Sequence, residues 1–237
     1  MKTLAVGDWQ KPKIPGRLLL KLPFITESRF ILYQGHSPGR EKVEDYIYKK
    51  FHDNYDARIS HFLPYLLGLK NEGRFNAAVG IRPAESGPLF LEQYLHYPIE
   101  QEIGLYFHDV IPREDIVELG NLASNWGGSS QLLFLFLTAF LSVIKREWVV
   151  FTATPEVEKV LEKMNFTLFI LADADPDKLL DTRENWGYYY EYSPRVMFGH
   201  VPSTLSILKQ NTFTCKTLEY FAGNLEQIIA ACTFKHA

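Results

Sequence analysis

Residues 125–130 read NWGGSS, a polar turn with two adjacent glycines, Gly127 and Gly128, set just before the long apolar stretch LLFLFLTAFLSVI at 132–144. The first amides of a helix have no internal acceptor and lie at the positive end of its dipole. Such a turn can therefore hold a phosphate without a charged side chain. The backbone N–H groups from Gly127 to Ser130 are the candidate nest for that anion. A plain turn in which Ser129 or Ser130 caps the helix accounts for the same letters, and both readings stand at this level.

Other chemistries leave no pattern. The seven histidines, His36, His52, His61, His96, His108, His200 and His236, never fall at the H-x-x-x-H spacing that presents two ligands on one helix face. His52 and Asp56 lie four apart, a pair that reads as a solvated helix face, and no metal is expected. There is no G-x-S-x-G elbow for a serine nucleophile. No Lys follows Gly128, so the turn is not a nucleotide P-loop of the Walker type.

The elements that would position this turn follow from pattern. Glu27–Gln34 reads as a first strand, Gly35–Arg40 as a turn and Glu41–Asn54 as a helix with Val43, Ile47, Tyr48 and Phe51 at helical spacing. Arg58–Leu69 and Phe75–Arg82 form a hairpin around a Gly-bearing loop, with Pro64 confined to an edge or bulge because it donates no hydrogen bond. Gly87–Tyr94 is a strand or a strand-to-helix passage, and Pro98–Gly104 a short helix opened by proline. Ile116–Ala123 is a strand interrupted by Gly120, a mark of a bulge or a close backbone approach. The apolar helix follows, then a β-branched strand at Trp148–Ala153 and a helix opened by Thr154 and Pro155. Phe166–Leu171 and Asn185–Tyr192 read as late strands, and Ser203–Gln210 and Lys216–Ala231 as weakly patterned helices.

The 237 residues are 46% hydrophobic and 22% charged with formal net charge −3 and scattered Lys and Arg. That composition describes a folded protein and offers no basic footprint for nucleic acid. The 13 residues of Leu132–Ile144 fall short of the roughly 20 needed to cross a bilayer, so they are expected to form a buried core helix. The opening residues MKTLAVGDWQKPKIPG carry Gly, Pro and Trp where a secretory signal needs an uninterrupted apolar run, so a cytoplasmic place is expected. Cys215 and Cys232 could pair, but free thiols are the expected state.

The order strand, helix, hairpin, strand, turn, long helix, strand, helix, strand resembles the GNAT acyltransferase fold. VLEKMNF at 160–166 is similar to that fold's LYEKLGF segment, and NWGGSS has the spacing of its acyl-CoA pyrophosphate loop, Q/R-x-x-G-x-G/A. Gly128 matches outright; Asn125 and Ser130 depart from it. More closely, GPLFLEQYL at 87–95, PIE at 98–100 and VELGNLAS at 117–124 are similar to the bacterial thermostable hemolysin family, over roughly residues 29–201. That family in turn resembles the acyl-homoserine-lactone synthase branch of the fold.

The resemblance implies an α+β architecture with a mixed, mostly antiparallel central sheet flanked by helices. It divides the chain into a lead at 1–26, an acyltransferase domain at 27–201 and a C-terminal helical appendage at 202–237. It implies transfer of an acyl group from acyl-CoA or acyl-carrier protein to a small amine acceptor; the scattered charge and the short apolar run give no expectation of a nucleic-acid partner or of membrane contact. Glu118 matches the branch's fourth-strand base. Asn121 stands where that branch has an Arg three residues on. The donor would lie along Leu119, Gly120, Leu122, Ala123, Asn125, Gly127, Gly128, Ser129 and Ser130.

The fold's usual general acid, a Tyr, is Leu161 here, so Tyr189, among Tyr188, Tyr190 and Tyr192, is the substitute expected on a late strand. Glu92, Gln93 and Tyr94 are expected on the acceptor side. Bland readings stand beside these: a surface carboxylate for Glu118, packing for the tyrosines, hydrogen bonds at a strand end for 92–94. The name hemolysin carries a rival, a membrane-active protein whose least implausible agent is Lys216–Ala231. A third reading is an acyl-CoA-binding module without turnover.

Overall fold

The computed structural model describes residues 25, 27–125, 127–180 and 185–234; the readings of the opening residues and of Trp126 lie outside them. Seven strands form one sheet in the order β1-β2-β3-β4-β5-β7-β6. They are β1 Ser28–Gln34, β2 Tyr65–Asn71, β3 Arg74–Pro83, β4 Ile116–Ser124, β5 Trp148–Ala153, β6 Leu168–Asp173 and β7 Arg195–His200. Every neighbouring pair is antiparallel except β4 and β5.

The first helix, α1 (Arg40–Tyr55), buries Val43, Ile47 and Phe51, one residue per turn along a single stripe. It stops where Asp56 turns left-handed, with φ 53°. The β2–β3 connection is tight: Glu72 and Gly73 both have positive φ, 48° and 76°, the twist a two-residue hairpin needs. The sequence pattern starts β2 at Arg58, but the ladder begins at Tyr65. Pro64 has no N–H to give it, so Arg58–Pro64 runs outside the sheet.

Between β3 and β4 the chain makes a short 3-10 turn, Phe90–Tyr94, and the helix α2 (Ile99–Phe107). After β4 comes α3, Gly127–Val143. Its residues Leu132, Leu133, Phe136, Leu137, Phe140 and Leu141 are buried against Phe30, Val79, Ile81 and Val117 of the sheet. At ~1.5–3 kcal/mol for each large side chain removed from water, this helix is a principal source of stability. The helices α4 (Pro155–Lys163), α5 (Val201–Leu208), α6 (Thr212–Tyr220) and α7 (Ala222–Ala231) join it on that face. The opposite face carries α1 and α2.

Two further expectations are corrected. Neither Ser129 nor Ser130 caps α3: the helix already starts at Gly127, the Ser130 hydroxyl bonds Ser124 Oγ at 2.7 Å, and Ser129 Oγ is buried with no hydrogen-bond partner among the described residues. The run Asn185–Tyr192 is no strand. Gly187 turns with φ 52°, Tyr188 N donates to Tyr55 O at 2.7 Å, and Tyr189–Tyr192 is a 3-10 turn; the aromatic composition mimics strand propensity without supplying a sheet neighbour. The actual seventh strand is RVMFGH, inserted between β5 and β6.

The tail is also more deeply seated than its weak pattern suggests. Phe221, Ile228, Cys232 and Phe234 join the same buried cluster as Phe30 and Phe136. Deleting Lys216–Ala231 would therefore uncover the main core, so loss of lysis on deletion could not single out a membrane-active segment. Among the described residues no helix is long and apolar enough to cross a membrane. Cys215 and Cys232 are not joined to each other by a disulfide.

Candidate active site

The parallel pairing of β4 and β5 runs only from Ile116–Leu119 against Trp148–Phe151. Beyond Leu119, β4 continues alone on that edge. A cavity of about 380 Å³ opens there and is lined by both Glu118 and Leu119. Successive strand residues point to opposite faces, so the cavity passes through the sheet at the end of the pairing. Its inner arm lies among α3, α4 and α5, walled by apolar side chains such as Phe134, Leu137, Leu141, Leu161 and Leu168. Its outer arm lies on the α1 side and holds Glu118, Arg82, Gln93, Asn121 and several aromatic rings.

Glu118 sits at the junction of the two arms with 3% of its surface exposed. Its carboxylate accepts Leu91 N at 2.9 Å and Phe90 N at 3.2 Å, the first amides of the 3-10 turn. Desolvation raises its pKa more than these bonds and the nearby Arg82 lower it, and the group is pushed up to about 7. The burial and the neutral-range pKa set it apart from a surface carboxylate.

Asn121 and Leu122 form a β-bulge: Gly80 pairs with Gly120 and Ala78 with Ala123, leaving two residues of β4 opposite Val79 alone. Asn121 takes the left-handed conformation, φ 49°, which Asn tolerates best after Gly. Its Oδ1 accepts Leu63 N at 2.9 Å and its Nδ2 donates to His61 O at 3.2 Å, fastening the stretch before β2 over the bulge. Gly80 makes this approach possible, since a Cβ there would stand 2.9 Å from both Asn121 Oδ1 and Leu63 Cβ. Asn121→Ala removes both bonds and raises the strain of a positive φ. We expect it to cost about 2–3 kcal/mol, read as a lower urea midpoint at unchanged slope.

The other sequence-selected residues divide. Leu119, Gly120, Leu122, Gln93, Tyr94 and Tyr189 line the cavity together with Glu118 and Asn121. Tyr94 OH lies 2.6 Å from Tyr190 OH, and burial pushes the phenols of Tyr94 and Tyr189 upward, keeping both protonated at neutral pH. Tyr188 and Tyr192 are exposed and outside the cavity.

Glu92 lies outside it too. It is bound by Arg113 at 2.8 and 3.0 Å and accepts Leu89 N and Ile99 N, so it braces the 3-10 turn that holds Glu118. Ala123 is packed under α1. Asn125 accepts from Tyr46 OH at 3.1 Å and donates to Phe75 O and Asn76 Oδ1, tying the turn to β3 and α1. Gly127, Gly128, Ser129 and Ser130 form the first turn of α3, whose opening amides are those a helix leaves without internal acceptors.

Sequence reasoning missed the rings of the outer arm, Phe51, Tyr55, Phe90 and Trp186, and the inner wall contributed by α4 and α5. Phe90 lay within the motif GPLFLEQYL and Trp186 within the aromatic run NWGYYYEY, while Phe51 and Tyr55 carried no signal beyond helix packing. Among the described residues no group of His, Cys, Asp and Glu is placed to hold a metal.

A mixed sheet with one parallel pair, a bulged fourth strand, a cavity where β4 leaves β5 and a long helix after the fourth strand is the GNAT-like fold. Solved structures agree with it. TofI in an apo form is 12% identical at TM-score 0.53, covering 79% of this chain and 99% of that one. FeeM, an N-acyl amino acid synthase from uncultured soil microbes, is 14% identical at 0.52, covering 77% and 97%. BjaI, a CoA-dependent acyl-homoserine lactone synthase solved with SAM and isopentyl-CoA, is 10% identical at 0.52, covering 77% and 88%. No curated protein matches the sequence. The thermostable hemolysin family matches residues 33–205, and the chain belongs to that family.

Proposed function

We propose that the protein is an acyltransferase that takes an acyl chain from a CoA or carrier-protein thioester and gives it to a small amine. The observation that carries this is a cavity crossing the sheet where β4 leaves β5, with an apolar inner arm and Glu118 at its junction. The inner arm suits an acyl chain, and the first turn of α3 suits a pyrophosphate or phosphopantetheine phosphate. A cytoplasmic place, where such thioesters are made, goes with this reading.

Glu118, near pH 7 in its titration, takes the proton from the amine as nitrogen attacks the thioester carbon. The bulge at Asn121 and Leu122 frees a backbone amide from the ladder that can face the developing oxyanion. Tyr189, held protonated by burial, can return a proton to the departing thiolate. In this scheme Glu92 is a brace, while Gln93 and Tyr94 face the acceptor.

Calorimetric titration with CoA and octanoyl-CoA tests the donor half. Octanoyl-CoA is expected to bind at least about tenfold more tightly, because burial of even two methylenes is worth about 1.6 kcal/mol. Equal affinities would remove the acyl role of the inner arm, and no heat from either ligand in folded protein would sink a CoA donor and leave carrier protein to be tried.

A further inference from the structure

On the α1 side of the sheet the cavity wall is built of rings. Phe51 and Tyr55 come from α1, Phe90 from the 3-10 turn that holds Glu118, and Trp186 and Tyr189 from the stretch before β7. Three segments far apart in sequence converge here. The Trp186 ring lies 5.7 Å from Phe90, 5.6 Å from Tyr189 and 6.4 Å from Phe51, and Tyr189 meets Tyr55 edge-on at 5.2 Å. These are spacings at which rings hold one another by edge and tilted contacts.

Phe90 joins this wall to the chemistry, since its own amide donates to the Glu118 carboxylate. Apart from His61 and the tyrosines, the ionisable groups among the described residues lining the cavity are Glu118 and Arg82, which lie opposite each other across β3 and β4. A small polar acceptor would leave these rings against water. A flat apolar group would satisfy them, and a protonated amine beside them gains from both the ring faces and the carboxylate.

We propose that the acceptor is a primary amine bearing an aromatic ring, with the ring lodged among Phe90, Trp186 and Tyr189 and the nitrogen against Glu118. This rests on the acyl-transfer reading of the same site. The bound ammonium first gives up one proton to solvent. The neutral nitrogen then attacks, the C–N bond forms as the C–S bond breaks, and one amine proton passes to Glu118. The thiolate leaves as a thiol with a proton from Tyr189, which the proton held by Glu118 makes good, so the step needs no oxidant or further reactant. Arg82, directly across the ladder from Glu118, gives an α-carboxylate a partner; phenylalanine and phenethylamine therefore distinguish an amino acid from a plain aralkylamine.

The test measures thiol release from octanoyl-CoA with phenethylamine, phenylalanine or hexylamine, and calorimetric binding of each amine alone. The expected result is a kcat/KM for one of the aromatic amines at least tenfold above hexylamine. That ratio should fall toward one in Trp186→Leu and persist in Trp186→Phe, which keeps a ring. Hexylamine matching or exceeding both aromatic amines overturns the aromatic assignment while acyl transfer stands. Aromatic binding without thiol release overturns transfer from CoA but keeps a ring-lined amine site. Neither binding nor release overturns both the aromatic assignment and transfer from CoA.

Discussion

Glu118→Gln is expected to lower amine-dependent thioester cleavage by roughly 100-fold or more, the usual contribution of a positioned base, while donor affinity stays unchanged. The side chain keeps its shape and one acceptor for the amides of Phe90 and Leu91, but it can no longer take a proton. Because only the ionised carboxylate is the base, wild-type kcat/KM should rise with pH through about 7, where burial has moved this group, and the variant should lack that limb. Retained donor binding with lost turnover separates an enzyme from a binding module; unchanged turnover would remove Glu118 from the mechanism.

The same shift predicts a pH effect on stability, with a sign opposite to that of a salt-bridged acid. Glu118 binds its proton more tightly in the folded protein than at its ordinary pKa of 4.5. Its favourable contribution is complete below the unfolded pKa and is lost as pH rises through the folded one, about 3 kcal/mol in all. Urea midpoints should fall over that window in wild type, and the Gln variant should lose this component of the slope.

Arg146→Ala is expected to have the largest effect on stability, about 3–5 kcal/mol, or a fall of roughly 6–20 °C in Tm. This guanidinium is 2% exposed in the turn between α3 and β5. It binds Glu85 at 2.6 and 3.0 Å and the Phe234 carbonyl at 2.5 Å, and also donates to Glu114 O. It thereby ties the tail to the segments on either side of the β3–β4 connection. Truncation leaves these acceptors without their cation, and Lys cannot replace the planar fork that reaches several at once. A Tm within a degree or two of wild type would show that the tail is held by its apolar contacts alone.

Much of this architecture was legible because local pattern and tertiary environment agree. The stripe Val43, Ile47, Phe51 announces α1, and the mostly apolar run Leu132–Ile144 announces α3 as core. Gly120 announces a disturbance in β4, although the bulge falls one residue later, at Asn121, where no pattern rule points. The site was legible in part for the same reason. Glu118 and the residues after it lie on one continuous strand, so one motif places them together.

What was hidden depends on contacts between distant segments. Asn185–Tyr192 carries strand-forming residues but turns at Gly187 to lay its rings on α1, whereas RVMFGH, six residues long, becomes a strand because β5 and β6 leave a place between them. Glu92 was expected on the acceptor side together with Gln93 and Tyr94, which do line the cavity. Its partner Arg113 lies 21 positions away, and no local spacing could show that pairing.

The central claim is that an acyl thioester lies across the gap between β4 and β5 with its reacting carbon at Glu118. A crystal structure with a non-hydrolysable octanoyl-CoA analogue tests it most directly. The account predicts the acyl chain among Phe134, Leu137 and Leu161, the pyrophosphate on the first turn of α3, and room for one amine nitrogen between the thioester carbon and the Glu118 carboxylate. An analogue bound outside this gap, or with its carbonyl turned away from Glu118, would contradict it.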